Sequence, residues 1–496
     1  MLDAAAFCRG LVEDGTIYAF LADHRSELFN DEDFADLFPS ERGRPSIPAV
    51  LVCSVMVLQA LEGLSDRDAI RQLRTRIDWK VACGLALDDP GFDFTVLTYW
   101  RTRLRKSERP QRIFDAVRGV VEATGVLAAK HRRALDSTIL DDAVATQDTV
   151  TQLISAMRKV RSAVPEAAMV VLLTATDQGG KPVIEWTDRS ARDALVTGLV
   201  RDAEAVLAAA EASASREVAA EVIGLLALLC GQDVEPGETP GTWKIAKKVA
   251  KDRVISTVDV EARHGHKSTA QRTDGFKTHL ATEPDTGIIT AVKVTPANVP
   301  DGPVGVGLMA GEPDGLEVLA DSAYGSGRTR AELTEHHHRL VIKPLPSRPV
   351  VPGGFHRDDF FVDHDARRVT CPAGHVAKLS RGGVAKFTPH CSTCPLKARC
   401  TKSAVRSFSV SEHDAELVEA RRVWRDDELR EIYRKHRPMA ERSISWLVAK
   451  GNRRLRYRGV ERNEAWAHRR VAALNLRKLA VLGLTRREGN WVLAGT

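Results

Sequence analysis

The sequence has no apolar run of about 18 residues, the length that a membrane-spanning helix needs. The nearest approach, Val222 to Cys230, is far too short. A signal peptide begins with a basic region followed by an apolar stretch, whereas this chain begins with the acidic segment MLDAAAFCRGLVEDG. We therefore expect a protein that is not exported and that stays in the cytosol.

The chain also has little net charge, only +6 over 496 residues, but that charge is unevenly distributed. Between Arg421 and Lys478 there are 18 Lys and Arg against 7 Asp and Glu, a net charge of +11 that leaves −5 for the rest of the chain. A basic region of this kind is typical of a surface that binds a polyanion. A solvated basic surface without a partner is the alternative.

The eight cysteines fall into two groups. Cys8, Cys53, Cys83 and Cys230 lie among helical, apolar neighbours and are expected to be buried in a reducing compartment. The other four follow the pattern C-x19-C-x2-C-x5-C, in the segments CPAGH and CSTCPLKARC, which is typical of a structural zinc site: Cys371, Cys391, Cys394, Cys400. His375 or His390 is an alternative ligand, and a remnant that binds no metal is the competing interpretation.

Hydrophobic periodicity predicts a helical N-terminal part, then strands and helices in alternation. We predict a helix pair broken at Gly63-Leu64-Ser65 and a third helix near Thr95 to Arg105. The third helix leads into the basic stretch WRTRLRKSERPQR, and the three helices suit either a DNA-contacting module or a plain helical cap. Further predictions are strands at 133–140, 316–321 and 339–343, a hairpin of 276–281 with 288–294, an Ala-rich helical region at 149–249, and helices from Glu412.

Three carboxylates stand out by their context: Asp136 within a strand, Asp321 at the end of a strand, and Glu441 on a helix. Burying a carboxylate in a strand without a partner costs free energy, and a divalent cation is a suitable partner. Each also has an ordinary explanation: a turn at Asp136, a helix cap at Asp321, and an i,i+4 pair between Arg437 and Glu441.

The order of these elements resembles bacterial insertion-sequence transposases of the DDE class. Five segments carry the resemblance, which covers nearly the whole chain: LDSTILDDAVAT, VDVEARHGHKS, DGFKTHLATEPDTGIITAVKVTPANVPD, LADSAYGSG and RPMAERSISWLVAKGNRRLRYRG. The resemblance implies an α/β fold with an RNase H-like mixed sheet flanked by helices. It divides the chain into an N-terminal helical domain (1–112), which is either DNA-binding or a plain cap, a catalytic domain (126–148, 252–344 and 405–485), a helical insert (149–251) and a zinc-ribbon-like insert (345–404).

The resemblance also implies a catalytic triad of Asp136, Asp321 and Glu441 that holds Mg²⁺ or Mn²⁺. Asp259 is expected to be structural, and Asp141 and Asp142 to face solvent. At helical spacing Tyr433, Arg437, Glu441 and Ser445 share one face. Many relatives have Tyr and Lys where this chain has Arg434 and Val448, which puts the roles of Tyr433 and Lys450 in doubt. The expected DNA-binding residues are Tyr433, Arg437, Lys450, Arg453, Arg454, Arg456 and Arg458.

The function implied is metal-dependent cleavage of double-stranded DNA at the terminal inverted repeats, followed by strand transfer into target DNA. A homodimer or higher oligomer is expected, because two DNA ends must be held together. The alternatives are a metal-dependent nuclease without strand transfer and an inactive, transposase-derived DNA-binding protein.

Overall fold

The computed structural model of the protein describes residues 2–38, 46–174, 176, 181–248, 250–266 and 272–494. Lys267 and Ser268, which end the segment VDVEARHGHKS, lie outside the described residues, as do parts of the predicted N-terminal module and helical insert.

The N-terminal part is helical, as predicted. The break between α3 and α4 falls where the sequence places it, because Gly63 adopts a left-handed conformation (φ 66°) and the Ser65 side chain accepts a hydrogen bond from the backbone N–H of Asp68 at 3.1 Å. The helices are α1 (Ala4–Cys8), α2 (Ile17–Leu28), α3 (Ala49–Glu62), α4 (Asp66–Thr75), α5 (Ile77–Cys83), α6 (Thr95–Lys106) and α7 (Arg112–Ala123).

The first strand of the central sheet is followed by a mainly helical region. The elements are β1 (Arg132–Asp141), α8 (Thr149–Ala163), α9 (Pro165–Ala168), α10 (Arg189–Glu211), α11 (Ala220–Asp233), β2 (Val234–Pro236) and β3 (Trp243–Ile245). The sequence predicts only a Pro/Gly loop at 234–243, whereas the structure forms the short hairpin β2–β3 there. A hydrogen bond of 2.8 Å from the Gly237 N–H to the Thr242 carbonyl closes the turn of this hairpin.

The central strands then continue: β4 (Arg263–His266), β5 (Arg272–Thr282), β6 (Ile289–Pro296), α12 (Asp301–Met309), β7 (Glu317–Ala320), α13 (Gly327–Glu335) and β8 (Arg339–Ile342). The predicted hairpin and the two later strands are confirmed. Strand β4 was not predicted, because its four residues, RHGH, include a glycine and have no apolar alternation.

The rest of the chain contains short strands and then four helices. The elements are β9 (Phe361–Asp363), β10 (Arg368–Thr370), β11 (Val376–Lys378), β12 (Val384–Lys386), α14 (Lys397–Cys400), β13 (Ser407–Ser409), α15 (Asp414–Val423), α16 (Asp427–His436), α17 (Pro438–Val448), α18 (Val460–Val481), β14 (Thr485–Arg487) and β15 (Asn490–Val492). The terminal hairpin β14–β15 was not predicted, and its Trp491 packs against Phe20 of α2 with ring centroids 5.7 Å apart.

The central sheet is mixed, with the order β4-β5-β1-β7-β8 and with β6 also paired to β5. Strand β5 runs antiparallel to β1, β4 and β6, while β1, β7 and β8 run parallel. Because β1 and β7 are parallel neighbours, side chains near their carboxyl ends meet at one edge of the sheet.

The largest hydrophobic core is shared by the N-terminal helices, one face of the sheet, α17 and α18. Arg470 of α18 is fully buried there and donates to backbone carbonyls at the ends of two other helices, among them Leu61 at 2.6 Å and Trp446 at 2.6 Å. The helices α8–α11 and the strands β9–β13 each have a smaller core of their own.

Across the described ranges no single helix is long and apolar enough to cross a membrane; only the bent pair α3–α4, with 110° between its helices, meets that length and composition together.

Candidate active site

Asp136 and Asp321 are brought together by the pairing of β1 with β7. The register pairs Ala134 with Leu319; Asp136 is two residues further along β1, and Asp321 is two residues beyond Leu319, just after β7 ends. Asp321 follows β7 and its Oδ1 accepts a hydrogen bond from the Ala323 N–H at 2.9 Å, so it also caps the short 3-10 helix after it. The structure contradicts the alternative of a turn at Asp136, because that residue lies within β1.

The partner of Asp136 is Arg437. The two guanidinium nitrogens of Arg437 lie 2.9 and 3.2 Å from the two carboxylate oxygens of Asp136, and both side chains are largely buried. Burial raises the pKa of Asp136, against the opposing effect of Arg437, and the charge of Asp321 raises it further. Arg437 therefore pairs with the first carboxylate, not with Glu441 at i+4 as the alternative interpretation had it.

Glu441 lies in the first turn of α17, the helix whose N-cap residue is Arg437. The sequence treats Tyr433, Arg437, Glu441 and Ser445 as one face of a single helix. The single helix is wrong, because α16 ends at His436 and α17 begins at Pro438, but the side chains of Arg437 and Glu441 still act on Tyr433. Proline has no N–H to donate to the preceding turn, which explains the break. Glu441 is exposed, and burial raises the pKa of Tyr433, with smaller effects from the neighbouring charges of Arg437, Asp321 and Glu441.

A buried polar network lies next to Asp136, and sequence reasoning missed it. The Asp301 carboxylate accepts hydrogen bonds from Lys277 Nζ at 2.9 Å and Ser137 Oγ at 3.1 Å. His279 is fully buried, and burial lowers its pKa to about 4, so it is neutral. The segment HLATEPDTGIITAVKVTPANVPD contains both His279 and Asp301, but nothing in the strand pattern shows that they meet.

Asp142 is buried, contrary to the prediction that it faces solvent. It is 7% exposed and Asp259 is 3% exposed, and burial and the nearby Asp259 carboxylate raise the pKa of Asp142 to about 6. Asp259 Oδ2 accepts the Gly459 N–H at 2.9 Å, at the start of α18, which supports the structural role expected of it. Asp141 is exposed, as predicted.

The segment 451–458 runs beside the end of β1. The Asp141 N–H donates to the Arg453 carbonyl and the Leu455 N–H donates to the Asp141 carbonyl, each at 2.9 Å. Lys450, Arg453, Arg454, Arg456 and Arg458 are all exposed, so their side chains are accessible to a polyanion.

The four clustered cysteines line one small cavity together with His375 and His390, whose rings stack with centroids 4.4 Å apart. Burial raises the pKa of Cys400, and the other three thiols act in the same direction. These donor types fit Zn²⁺, as the site carboxylates fit a hard divalent cation. Among the described residues, however, no three His, Cys, Asp or Glu side chains are already grouped as a metal ion would need.

Two family models match the chain: "Transposase domain (DUF772)" over residues 10–103 and "Transposase DDE domain" over residues 242–476. No curated protein and no solved structure matches it significantly. The second match includes Asp321 and Glu441, while Asp136 lies between the two matches.

These findings define the class of protein as a transposase. The chain belongs to the insertion-sequence transposases of the DDE class. That family implies an RNase H-like fold, a DNA substrate and a DNA-cleaving or DNA-transferring enzyme that uses divalent metal.

Proposed function

We propose that this enzyme cleaves DNA at the ends of an insertion sequence and joins the freed 3′-hydroxyls to target DNA. One observation carries the proposal: Asp136 lies within β1 beside the point where the parallel neighbour β7 ends and is followed by Asp321, with Arg437 bound to Asp136. The Tyr433 phenol, beside Arg437, lies within the electrostatic reach of both Asp321 and Glu441.

Asp136, Asp321 and Glu441 are proposed to hold Mg²⁺ or Mn²⁺, since all three offer the oxygen ligands that these ions prefer. A bound pair of such ions lowers the pKa of an attacking water or hydroxyl and stabilises the departing oxygen. Glu441 is exposed on α17, so its side chain is free to turn towards the two aspartates.

Arg437 can donate a further hydrogen bond besides those to Asp136. Its Nε is buried and has no hydrogen-bond partner among the described residues. In the proposed reaction this guanidinium binds a non-bridging oxygen of the scissile phosphate and keeps Asp136 oriented. Attack by water at that phosphorus breaks its bond to the 3′-oxygen and leaves a 5′-phosphate and a free 3′-hydroxyl. That 3′-hydroxyl then attacks a phosphorus of target DNA, forming a new phosphodiester and breaking the bond to the target strand's own 3′-oxygen, which departs as a new 3′-hydroxyl.

Double-stranded DNA is proposed to contact Tyr433 and the basic residues around the site: Arg437, Lys450, Arg453, Arg454, Arg456 and Arg458. Their exposure, apart from that of Tyr433 and Arg437, and the net charge of this region support the assignment. A homodimer or higher oligomer is proposed because two DNA ends must be held together.

The separate cores of α8–α11 and β9–β13 support the proposed domain division, with Val254 and Phe408 extending these cores just beyond the proposed bounds. Residues 149–251 form the helical insert and 345–404 the cysteine-rich insert, within a catalytic domain of 126–148, 252–344 and 405–485. In the second insert we propose a structural Zn²⁺ ion held by Cys371, Cys391, Cys394 and Cys400. The protein purified without chelator should contain one zinc per chain by elemental analysis, and Cys394→Ser should lower that content, whereas Cys230→Ser should not.

The carboxylate proposal is tested with Asp136→Asn, which keeps the size of the side chain and an acceptor for Arg437. Magnesium-dependent cleavage of DNA carrying the end repeats should be lost while binding to that DNA is retained. The exposed neighbour substitution Asp141→Asn should cleave normally. Cleavage by Asp136→Asn would remove Asp136 from the mechanism.

The alternatives need two further measurements. DNA ends with a free 3′-hydroxyl, offered with a plasmid target, should yield joined products; hydrolysis alone would indicate a nuclease without strand transfer. No magnesium-dependent nicking at all by the unaltered protein would indicate an inactive, transposase-derived DNA-binding protein.

A further inference from the structure

A cavity of about 360 Å³ lies where the N-terminal helices meet the segment between α17 and α18. Its walls come from the α3–α4 turn, from α6 and from residues 452–469. Four arginines line it, with a single carboxylate, Asp66: Arg67, Arg101, Arg456 and Arg469. The cavity is therefore strongly basic.

The carboxylate of Asp66 accepts hydrogen bonds from several neighbouring side chains. Arg101 contacts both of its carboxylate oxygens, one of them at 2.9 Å, and Gln59 and Thr98 donate to it at 2.7 and 3.1 Å. Burial acts to raise the pKa of Asp66, but these donors outweigh it and lower that pKa. The one acidic side chain is thus already neutralised by one of the four guanidinium groups.

The other three arginines have contacts of a different kind. Arg67 lies over the Phe94 ring, 4.1 Å from its centroid, Arg456 donates to the Gly63 carbonyl at 2.6 Å, and Arg469 bonds to the Tyr457 hydroxyl. Within the part of the chain that the structure describes, none of the three forms an ion pair with a carboxylate. Burial lowers the pKa of Arg469 to about 10, against the opposing effects of Tyr457 and Asp66.

The cavity is also connected to the candidate active site. Residues 453–455 bond to Asp141 at the end of β1, and Arg456 is the next residue along that segment. Asp141 lies five residues after Asp136, roughly 17 Å along the strand. At about 3.4 Å per base pair, one duplex spans that distance with about five base pairs.

We propose that this cavity binds a backbone phosphate of the substrate DNA, at a site separate from the three carboxylates. The inference rests on the proposed function, since it takes DNA as the substrate. Planar guanidinium groups match the oxygens of a phosphodiester, and the rings of Phe94, Tyr457 and Trp466 offer an apolar wall for the adjoining sugar. The N-terminal helices and the catalytic sheet would then both contact the same DNA duplex.

The test is the salt dependence of binding to a short fluorescent duplex of arbitrary sequence, measured in EDTA so that no cleavage occurs. Arg469→Gln and Arg456→Gln should each weaken binding several-fold and lower the slope of log K against log salt by about one, because each loses about one phosphate contact. Arg469→Lys should keep most of the slope, because it keeps the charge. The matched control is Arg462→Gln, an exposed arginine of α18 that does not line the cavity.

Thermal unfolding shows whether Arg469→Gln is folded. Because Arg456 is exposed, Arg456→Gln tests the site even if Arg469→Gln does not fold. Unchanged slopes in the cavity variants would overturn the inference, as would an equal fall in Arg462→Gln, which would indicate a general charge effect. Cleavage by Asp136→Asn would instead refute the proposed chemistry and leave these binding results intact.

Discussion

The buried pair of Asp142 and Asp259 makes a prediction about stability and pH. The pKa of Asp142 rises from 3.8 to about 6 in the folded protein, through burial and the nearby Asp259. The folded chain therefore holds a proton that the unfolded chain releases, and stability falls as pH rises from about 4 to about 6. A rise of this size corresponds to about 3 kcal/mol of lost stability above pH 6.

Asp142→Asn imitates the protonated side chain at every pH. It keeps an oxygen to accept the Ala143 N–H, which lies 2.6 Å away, and gains an N–H for Asp259. We expect the variant to be more stable than the unaltered protein at pH 8 by up to about 3 kcal/mol. At pH 5 the advantage should be about half as large.

The measurement is urea unfolding followed by circular dichroism at both pH values. His264 and Asp274 line the same cavity as Asp142, but they are present in both proteins and cancel in the comparison. Asp141→Asn, one residue earlier and exposed, should show no such pH-dependent difference. A destabilised Asp142→Asn at pH 8, or an advantage that does not shrink at pH 5, would refute the reasoning.

Two further substitutions test buried arginines. Arg437→Met should lower the free energy of unfolding by about 3–5 kcal/mol, because it leaves the largely buried Asp136 without its partner. Adding Asp136→Asn to this variant should recover part of that loss in urea unfolding. Strictly additive effects of the two substitutions would exclude the pairing. Arg470→Met should cost at least about 3 kcal/mol, since several buried carbonyls lose their donor. Its urea midpoint should fall well below that of Arg462→Met, on the exposed side of the same helix, and equal midpoints would contradict this role.

Much of the fold could be predicted because local chemistry determines it. The α3–α4 break follows from a glycine and a serine next to each other in sequence, and β1 and the β5–β6 hairpin follow from β-branched runs beside a turn. The elements that were missed are short. β4 and β14 have three or four residues each, and they form because a neighbouring strand offers a partner, which no local pattern reveals.

The site was predictable only through the family pattern. Asp136 and Asp321 are far apart in the chain, and their approach depends on which strands pair. The polar network of Ser137, Lys277 and Asp301 depends on the same pairing, and no periodicity predicts it.

The partner of Arg437 illustrates the limit of local reasoning most clearly. Within one continuous helix, Glu441 at i+4 is the nearest carboxylate, and the sequence offers that pair as the simplest explanation of both residues. Pro438 ends the continuity, so Arg437 sits at a junction between helices, and the α17 helix packs across β1. There the two oxygens of Asp136 offer the guanidinium a bidentate partner. Glu441, on α17, is left exposed and does not share that partner.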